Sequence, residues 1–205
     1  IVDTPGHADF GGEVERILSM VDCVLLLVDA VDGPMPQTRF VTQKAFARGL
    51  NPIVVINKID RPGARPHWVL DQVFDLFDKL GANDTQLDFP VVYTSALNGY
   101  AKLDLNDEVT DMNSLLQTIV DKVKPPAVDR EGPFQMQISS LDYSSYVGTI
   151  GIGRITRCFI KVKSRVKLID KEVVFRSGRL LQLMGFKGLD RVDGEDGRVG
   201  NVSAV

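Results

Sequence analysis

The sequence predicts a parallel, doubly wound α/β sheet followed by an all-β barrel. Three observations predict it. In the first half, short unbroken apolar runs alternate with apolar stripes of helical spacing. Such runs are strands buried on both faces, joined by helical crossovers. After Lys124-Pro125-Pro126 the pattern becomes alternating between Gly-containing turns, as in antiparallel strands. The charge changes sign at the same point: 11 Lys and Arg against 18 Asp and Glu up to Lys124, then 13 against 9. The expected organisation is an α/β domain over residues 1–124, a linker over 125–133 and a barrel over 134–205.

Each element has its own signal. Ile1-Val2 reads as the end of a strand, and Phe10, Val14, Ile17, Leu18 and Val21 recur at helical spacing. Cys23 to Val28 is an apolar run of strand length, ending at Asp29. Pro36 fits the first turn of a helix that ends near Gly49, because the N–H that proline lacks would be unpaired there anyway. Ile53 to Ile56 is the next strand, ending at Asn57. Leu70, Val73, Phe74, Phe77 and Leu80 form a helical stripe closed by Gly81. Val91-Val92-Tyr93 is a strand ending at Ser95, and Met112, Leu115, Leu116, Ile119, Val120 and Val123 make the last helix. Proline then stops the helix and restricts the residue before it. Phe134 to Leu141, Val147 to Ile155, Val162 to Ile169 and Val173-Val174-Phe175 alternate as strands. Gly151-Ile152-Gly153 lacks the third glycine of a dinucleotide fingerprint and reads as a bulge or turn.

With 205 residues, 44% hydrophobic and 25% charged, the composition excludes a disordered or collagen-like chain. No run approaches the roughly 18 apolar residues of a membrane span. The two cysteines lie far apart, and Cys23 in its apolar run reads as a buried free thiol, which fits a reducing compartment. No basic-then-apolar leader opens the chain, which begins inside an apparent strand and so looks like a piece of a longer polypeptide.

The polar residues that follow the apolar runs carry the chemistry, because ligands of open α/β sheets bind outside the carboxyl ends of the strands. Asp3-Thr4-Pro5-Gly6-His7 follows the first strand. An Asp there can hold Mg²⁺ through water, Gly6 can offer its N–H to a phosphate, and His7 would be placed to orient an attacking water. Asn57-Lys58-Ile59-Asp60 follows the third apolar run. The Asp60 carboxylate can accept from the N1–H and 2-amino group of guanine, a donor pair that adenine lacks. Lys58 can lay its stem over the base, and Asn57 can bridge the base to a neighbouring loop. At Ser95-Ala96-Leu97, small residues let backbone N–H groups reach a guanine oxygen. Each motif alone also reads as an ordinary polar turn. His67 reads as exposed, Trp68 and Tyr100 as packing residues, and Asp71, Asp75 and Asp78 as a solvated helix face.

In combination, these motifs resemble the third, fourth and fifth signature elements of P-loop GTPases. His7, Ala8 to Val14, Asp32-Gly33-Pro34-Met35-Pro36-Gln37-Thr38-Arg39, Arg61 to Pro66, Gln86 to Pro90 and Gly132 to Ile138 narrow the resemblance to the TypA/BipA family. This is a family of ribosome-associated translational GTPases of the elongation-factor class. The resemblance implies GTP or GDP as ligand, Mg²⁺ as cofactor, Asp3 serving the metal, Gly6 the γ-phosphate and His7 the water. Asn57, Lys58, Asp60, Ser95, Ala96 and Leu97 would read the base. It also implies a cytoplasmic, monomeric protein acting on ribosomal RNA and protein, with no membrane. Arg154, Arg157, Lys161, Lys163, Arg165 and Lys167 are candidates for the RNA contact. Two places depart from the family: Arg157-Cys158-Phe159 replaces an Arg-Gly turn, and Asp193 to Val205 lacks an Ala-Gly-Asp pattern. No Gly-x-x-x-x-Gly-Lys-[Ser/Thr] occurs, so the chain as it stands is expected to be inactive. The alternatives are another translational GTPase of elongation-factor-G or LepA type, or a ribosome-binding module without turnover.

Overall fold

The apolar runs of the first half become neighbouring parallel strands. In chain order the elements are α1 (Gly11–Leu18), β1 (Cys23–Asp29), α2 (Pro36–Ala47), β2 (Asn51–Asn57), α3 (Pro66–Lys79), α4 (Asp84–Leu87), β3 (Val91–Ser95), β4 (Tyr100–Lys102) and α5 (Asn113–Lys122). The computed structural model describes residues 1–4, 11–169, 175–188 and 190–205. It divides into two compact units, Ile1–Pro125 and Pro126–Val205.

The first unit is built on a sheet of order β1-β2-β3-β4, parallel except for β4. Strand side chains alternate between two layers. Leu26, Val28, Val54, Ile56 and Tyr93 pack with Val69, Val73 and Phe77 of α3. Ile53, Val55 and Val92 pack on the other face with Leu115 and Ile119 of α5. Helices on both faces make the sheet doubly wound. Pro36 opens α2, and the Thr38 hydroxyl accepts from the Met35 N–H at 3.1 Å. Gly49 and Gly81 follow α2 and α3 at φ 70° and 73°, the left-handed region where glycine has no Cβ penalty.

Three features of this unit differ from the sequence reading, and in the second unit the expected Val162–Ile169 strand begins only at Arg165, after a turn with Lys163 at φ 70°. Ile1-Val2 is not a strand end: Ile1–Thr4 belong to no element, and Ile1 is fully exposed. α4 has no apolar stripe and rests on reciprocal caps. The Asn83 side chain accepts from the Gln86 N–H at 2.9 Å, and the Gln86 side chain accepts from the Asn83 N–H at 3.1 Å. β4 is a three-residue antiparallel addition, too short to show a period. Phe10, the first residue of the expected opening helix, lies outside the described residues; Val14 and Leu18 of α1 bury against Ala45 and Leu50.

The second unit is antiparallel throughout its ladders. Its strands are β5 (Gln135–Ser144), β6 (Gly148–Arg157), β7 (Phe159–Lys161), β8 (Arg165–Ile169), β9 (Phe175–Arg179), β10 (Met184–Lys187), β11 (Asp190–Asp193), β12 (Asp196–Arg198) and β13 (Val202–Ala204). They form a sheet of order β11-β10-β13-β6-β5 and the ladders β12-β7 and β8-β9. Of the expected Val173-Val174-Phe175 strand, Phe175 opens β9 and the two valines lie outside the described residues. Ile155, Ile160, Leu180 and Leu183, with Phe134, Met136, Val166 and Val199, form one core fed by all three ladders. Arg191 on β11 meets Asp142 on β5 at 2.6 Å, although these are the two outermost strands of their sheet. An exposed ion pair adds little energy, but its length requires the sheet to curl round, as a barrel does.

Gly151-Ile152-Gly153 faces a bulge: the register with β5 shifts between Ile138 and Ser140. A Cβ on Gly153 would lie 1.8 Å from the Gln137 carbonyl oxygen, which is backbone and cannot swing aside. Gly153→Ala should therefore destabilise the protein by roughly 1–3 kcal/mol or more. Gly185→Ala, in open space on β10, should be neutral or slightly stabilising. Equal urea midpoints for the two variants would contradict this account of the bulge.

Candidate functional site

Register brings the strand ends level. Asp29, Asn57 and Thr94 are successive partners across β1, β2 and β3, so the three strands finish in one row. Backbone bonds continue the row into the loops: the Ala30 N–H donates to Asn57 O at 2.8 Å and the Ile59 N–H to Thr94 O at 3.2 Å.

Asn57 ties this edge together with its side chain. Its Oδ1 accepts from the Thr94 hydroxyl at 3.1 Å and from the Ala96 N–H at 3.0 Å. Ser95 is fully buried, and its hydroxyl accepts from the Asn98 N–H and side-chain amide. The turn closes with the Gly99 N–H on Ser95 O at 2.8 Å. Leu97 stands 91% exposed at its tip, and among the described residues its N–H has no partner.

Lys58 follows β2 at φ 66°, a left-handed conformation costly for a side chain with a Cβ. Its Nζ donates to Asp29 Oδ2 at 2.7 Å, and Arg61 approaches the same oxygen at 3.5 Å. Asp29 Oδ1 accepts from the Val31 N–H at 2.8 Å and the Asp32 N–H at 3.4 Å. Burial alone would raise the Asp29 carboxyl pKa, but the Lys58 bond and these two N–H groups outweigh it and hold it below the ordinary value. The interaction stabilises the fold above the ordinary carboxylate range and is lost as pH falls through the depressed value. Asp60 is exposed and engages no side chain among the described residues.

The structure thus brings Asn57, Lys58, Ser95, Ala96 and Leu97 to one edge, with Asp60 in the loop that leaves it. Asp3 is exposed in the opening segment. Gly6 and His7 lie outside the described residues. Asp29 is the residue that sequence reasoning missed. Its signal was an acid closing an apolar strand just before a turn, where a carboxylate can bond the following N–H groups. At the start of α3, Arg65 stacks on Trp68 at 3.9 Å, and a Gly33 Cβ would lie 3.1 Å from that ring; the ring itself stays exposed, so Trp68 is a platform for Arg65 more than the packing residue expected. Cys23 donates to Asn51 O at 3.1 Å, and burial pushes its thiol pKa up, as expected of an inert thiol. In the second unit, Arg165 and Lys167 share one face of the β8-β9 hairpin, with Arg179 directly opposite Arg165. Arg157 pairs with Asp129 at 3.4 Å. No described helix is long and apolar enough to cross a membrane.

The elongation factor Tu GTP binding domain family matches residues 1–125. Over all 205 residues the chain is 63% identical to the large ribosomal subunit assembly factor BipA of Escherichia coli K12, of which it covers 34%. It is likewise 63% identical to that of Haemophilus influenzae, covering 33%, and 55% identical to that of Buchnera aphidicola, covering 34%. The chain therefore spans about a third of the length of these relatives. Among solved structures it resembles translation elongation factor SelB of Methanococcus maripaludis in complex with the GTP analogue GppNHp. The TM-score is 0.75 at 22% identity, over 99% of this chain and 41% of that one. This likeness supports the two-part fold.

Asn57→Ala would leave the buried Thr94 hydroxyl and the Ala96 N–H without their acceptor. A loss of about 1–3 kcal/mol in unfolding free energy is expected. An unchanged denaturation midpoint would show that the edge does not depend on this side chain.

Proposed function

This chain belongs to the elongation factor Tu GTP binding domain family, and we propose that it carries the guanine-reading and second-switch part of a GTP-hydrolysing, ribosome-associated translation factor. The observation that carries this reading is the level edge, where two of the three nucleotide-type motifs, Asn57–Asp60 and Ser95–Leu97, converge and their outward groups are open. Asp60 would accept from N1–H and the 2-amino group of guanine. The Lys58 stem would lie on the base. The Leu97 N–H is the open donor of its turn for the guanine oxygen, while Asn57 and Ser95 hold the loops and Ala96 ties its turn to Asn57.

On the phosphate side the roles rest on the motif. The Gly6 N–H would contact the γ-phosphate, and His7 would orient the water that displaces GDP. Asp3 fits Mg²⁺: it is an exposed carboxylate without an ion pair among the described residues, and Mg²⁺ is commonly held by one carboxylate together with substrate phosphates. Bound there, the metal would neutralise phosphate charge. No group of three or more His, Cys, Asp or Glu gathers elsewhere among the described residues. β1 is the outermost strand of its sheet, yet Leu27 is 60% exposed and the strand has no Lys or Pro to guard the edge. That edge suits a strand leading into a phosphate-binding loop, which these 205 residues do not contain. Alone they would not turn over GTP.

We read residues 1–124 as the partial GTPase domain, 125–133 as the linker and 134–205 as the barrel, acting in the cytoplasm as a monomer. Arg165 and Arg179 face each other across a ladder, an unfavourable pairing that an RNA phosphate would relieve. The β8-β9 face is thus a candidate contact with ribosomal RNA.

Two measurements on the full-length protein test the reading. Asp60→Asn should shift preference from GTP toward XTP, because an Asn amide can donate to the xanthine oxygen that a carboxylate would repel. By analogy with a bidentate base contact, about 1–3 kcal/mol of discrimination is expected; unchanged GTP preference in competition binding removes Asp60 from the base. His7→Ala should slow hydrolysis by at least about 100-fold while GTP affinity stays within a few-fold. Parallel losses of rate and affinity would point to a structural histidine.

A further inference from the structure

We propose that Asp29 is a positioning residue for base recognition, its carboxylate fixing Lys58 where the lysine stem can lie against guanine. The inference rests on the guanine-binding reading above and adds a residue outside its three motifs.

Both Asp29 oxygens are engaged, in different ways. Oδ1 is held by the Val31 and Asp32 N–H groups, which set the plane of the carboxylate. Oδ2 is thereby aimed across the β1-β2 pair, where Lys58 Nζ meets it at 2.7 Å. Register makes this possible, since Asp29 and Asn57 are direct partners and Lys58 is the next residue. The Asp29 side chain is only 13% exposed and Lys58 50% exposed, so the acid is a fixed post and the lysine remains accessible. At φ 66°, position 58 would be cheaper for glycine or asparagine. A lysine kept there needs something to hold its side chain in one direction, and the charge-assisted bond to Asp29 does so. An unanchored lysine would give up several rotatable bonds on binding the base. Anchored, it presents its methylenes as a preformed surface.

The test is the affinity of full-length protein for a fluorescent GDP analogue, measured for the parent, Asp29→Asn, Asp29→Glu, Lys58→Met and the Asp29→Asn/Lys58→Met double variant. Asn keeps an oxygen for the two N–H groups and removes the charge. Asp29→Asn should weaken binding about tenfold, and Asp29→Glu should recover much of the loss. The double variant should bind no worse than Lys58→Met alone, because both changes remove the same contact. A purely structural Asp29 would instead give losses that multiply. Parental affinity in Asp29→Asn, or multiplying losses, overturns the positioning role while leaving the guanine reading intact. A parent that fails to prefer GDP over ADP overturns both.

Discussion

The first unit depends on one alignment: β1, β2 and β3 end level, and the Asn57 side chain bonds the second end to the third. Parallel strands can be displaced along one another when only backbone bonds hold them. Here Asn57 Oδ1 takes both a buried hydroxyl and a backbone N–H from the β3 end, so a slip would leave two donors unpaired. That restraint holds the loops after β2 and β3 at a fixed separation. It also sets Asp29 beside Lys58, because β1 pairs with β2 in the same row.

Much of this architecture was legible in the sequence, because its signals are long-range burial patterns. The unbroken runs at Cys23–Val28 and Ile53–Ile56 predicted strands buried on both faces, which β2 is and β1, outermost in the described sheet with Leu27 exposed, is not; the Leu70–Leu80 stripe predicted α3. Gly49 and Gly81 marked helix ends through their left-handed backbones. What escaped reading lacks a period. α4 is a single capped turn whose evidence is the Asn83–Gln86 reciprocity. β4 is three residues long and is placed by β3. Asp29 escaped because its partner is 29 residues away in sequence, and only strand register shows that the two meet.

The second unit shows a different balance of sequence and context. Gly153 is fixed by sterics, since no side chain fits between β6 and the bulged β5. Cys158 stands where the resemblance suggested glycine, yet its φ is 55°, in the glycine-favoured region. The Cys158 N–H donates to Asp129 O and its carbonyl accepts from the Val199 N–H, both at 2.8 Å. Those bonds hold the turn with a cysteine in this conformation.

The candidate site sorts its residues by where their polar groups are spent. Asn57, Ser95 and Ala96 bond other parts of the protein, so their contribution to any ligand is first to shape the loops. Asp60 and the Leu97 N–H have no such partners among the described residues and lie open. Lys58 sits between the two groups, with its ammonium committed to Asp29 and its stem half exposed. A four-residue motif in the sequence treats Asn57, Lys58 and Asp60 as equivalents. Their hydrogen bonds divide them into a clamp, an anchored surface and a free acceptor. This division explains why the neighbouring acid on β1 belongs with them: a fixed surface requires a fixed anchor, and the motif itself contains none.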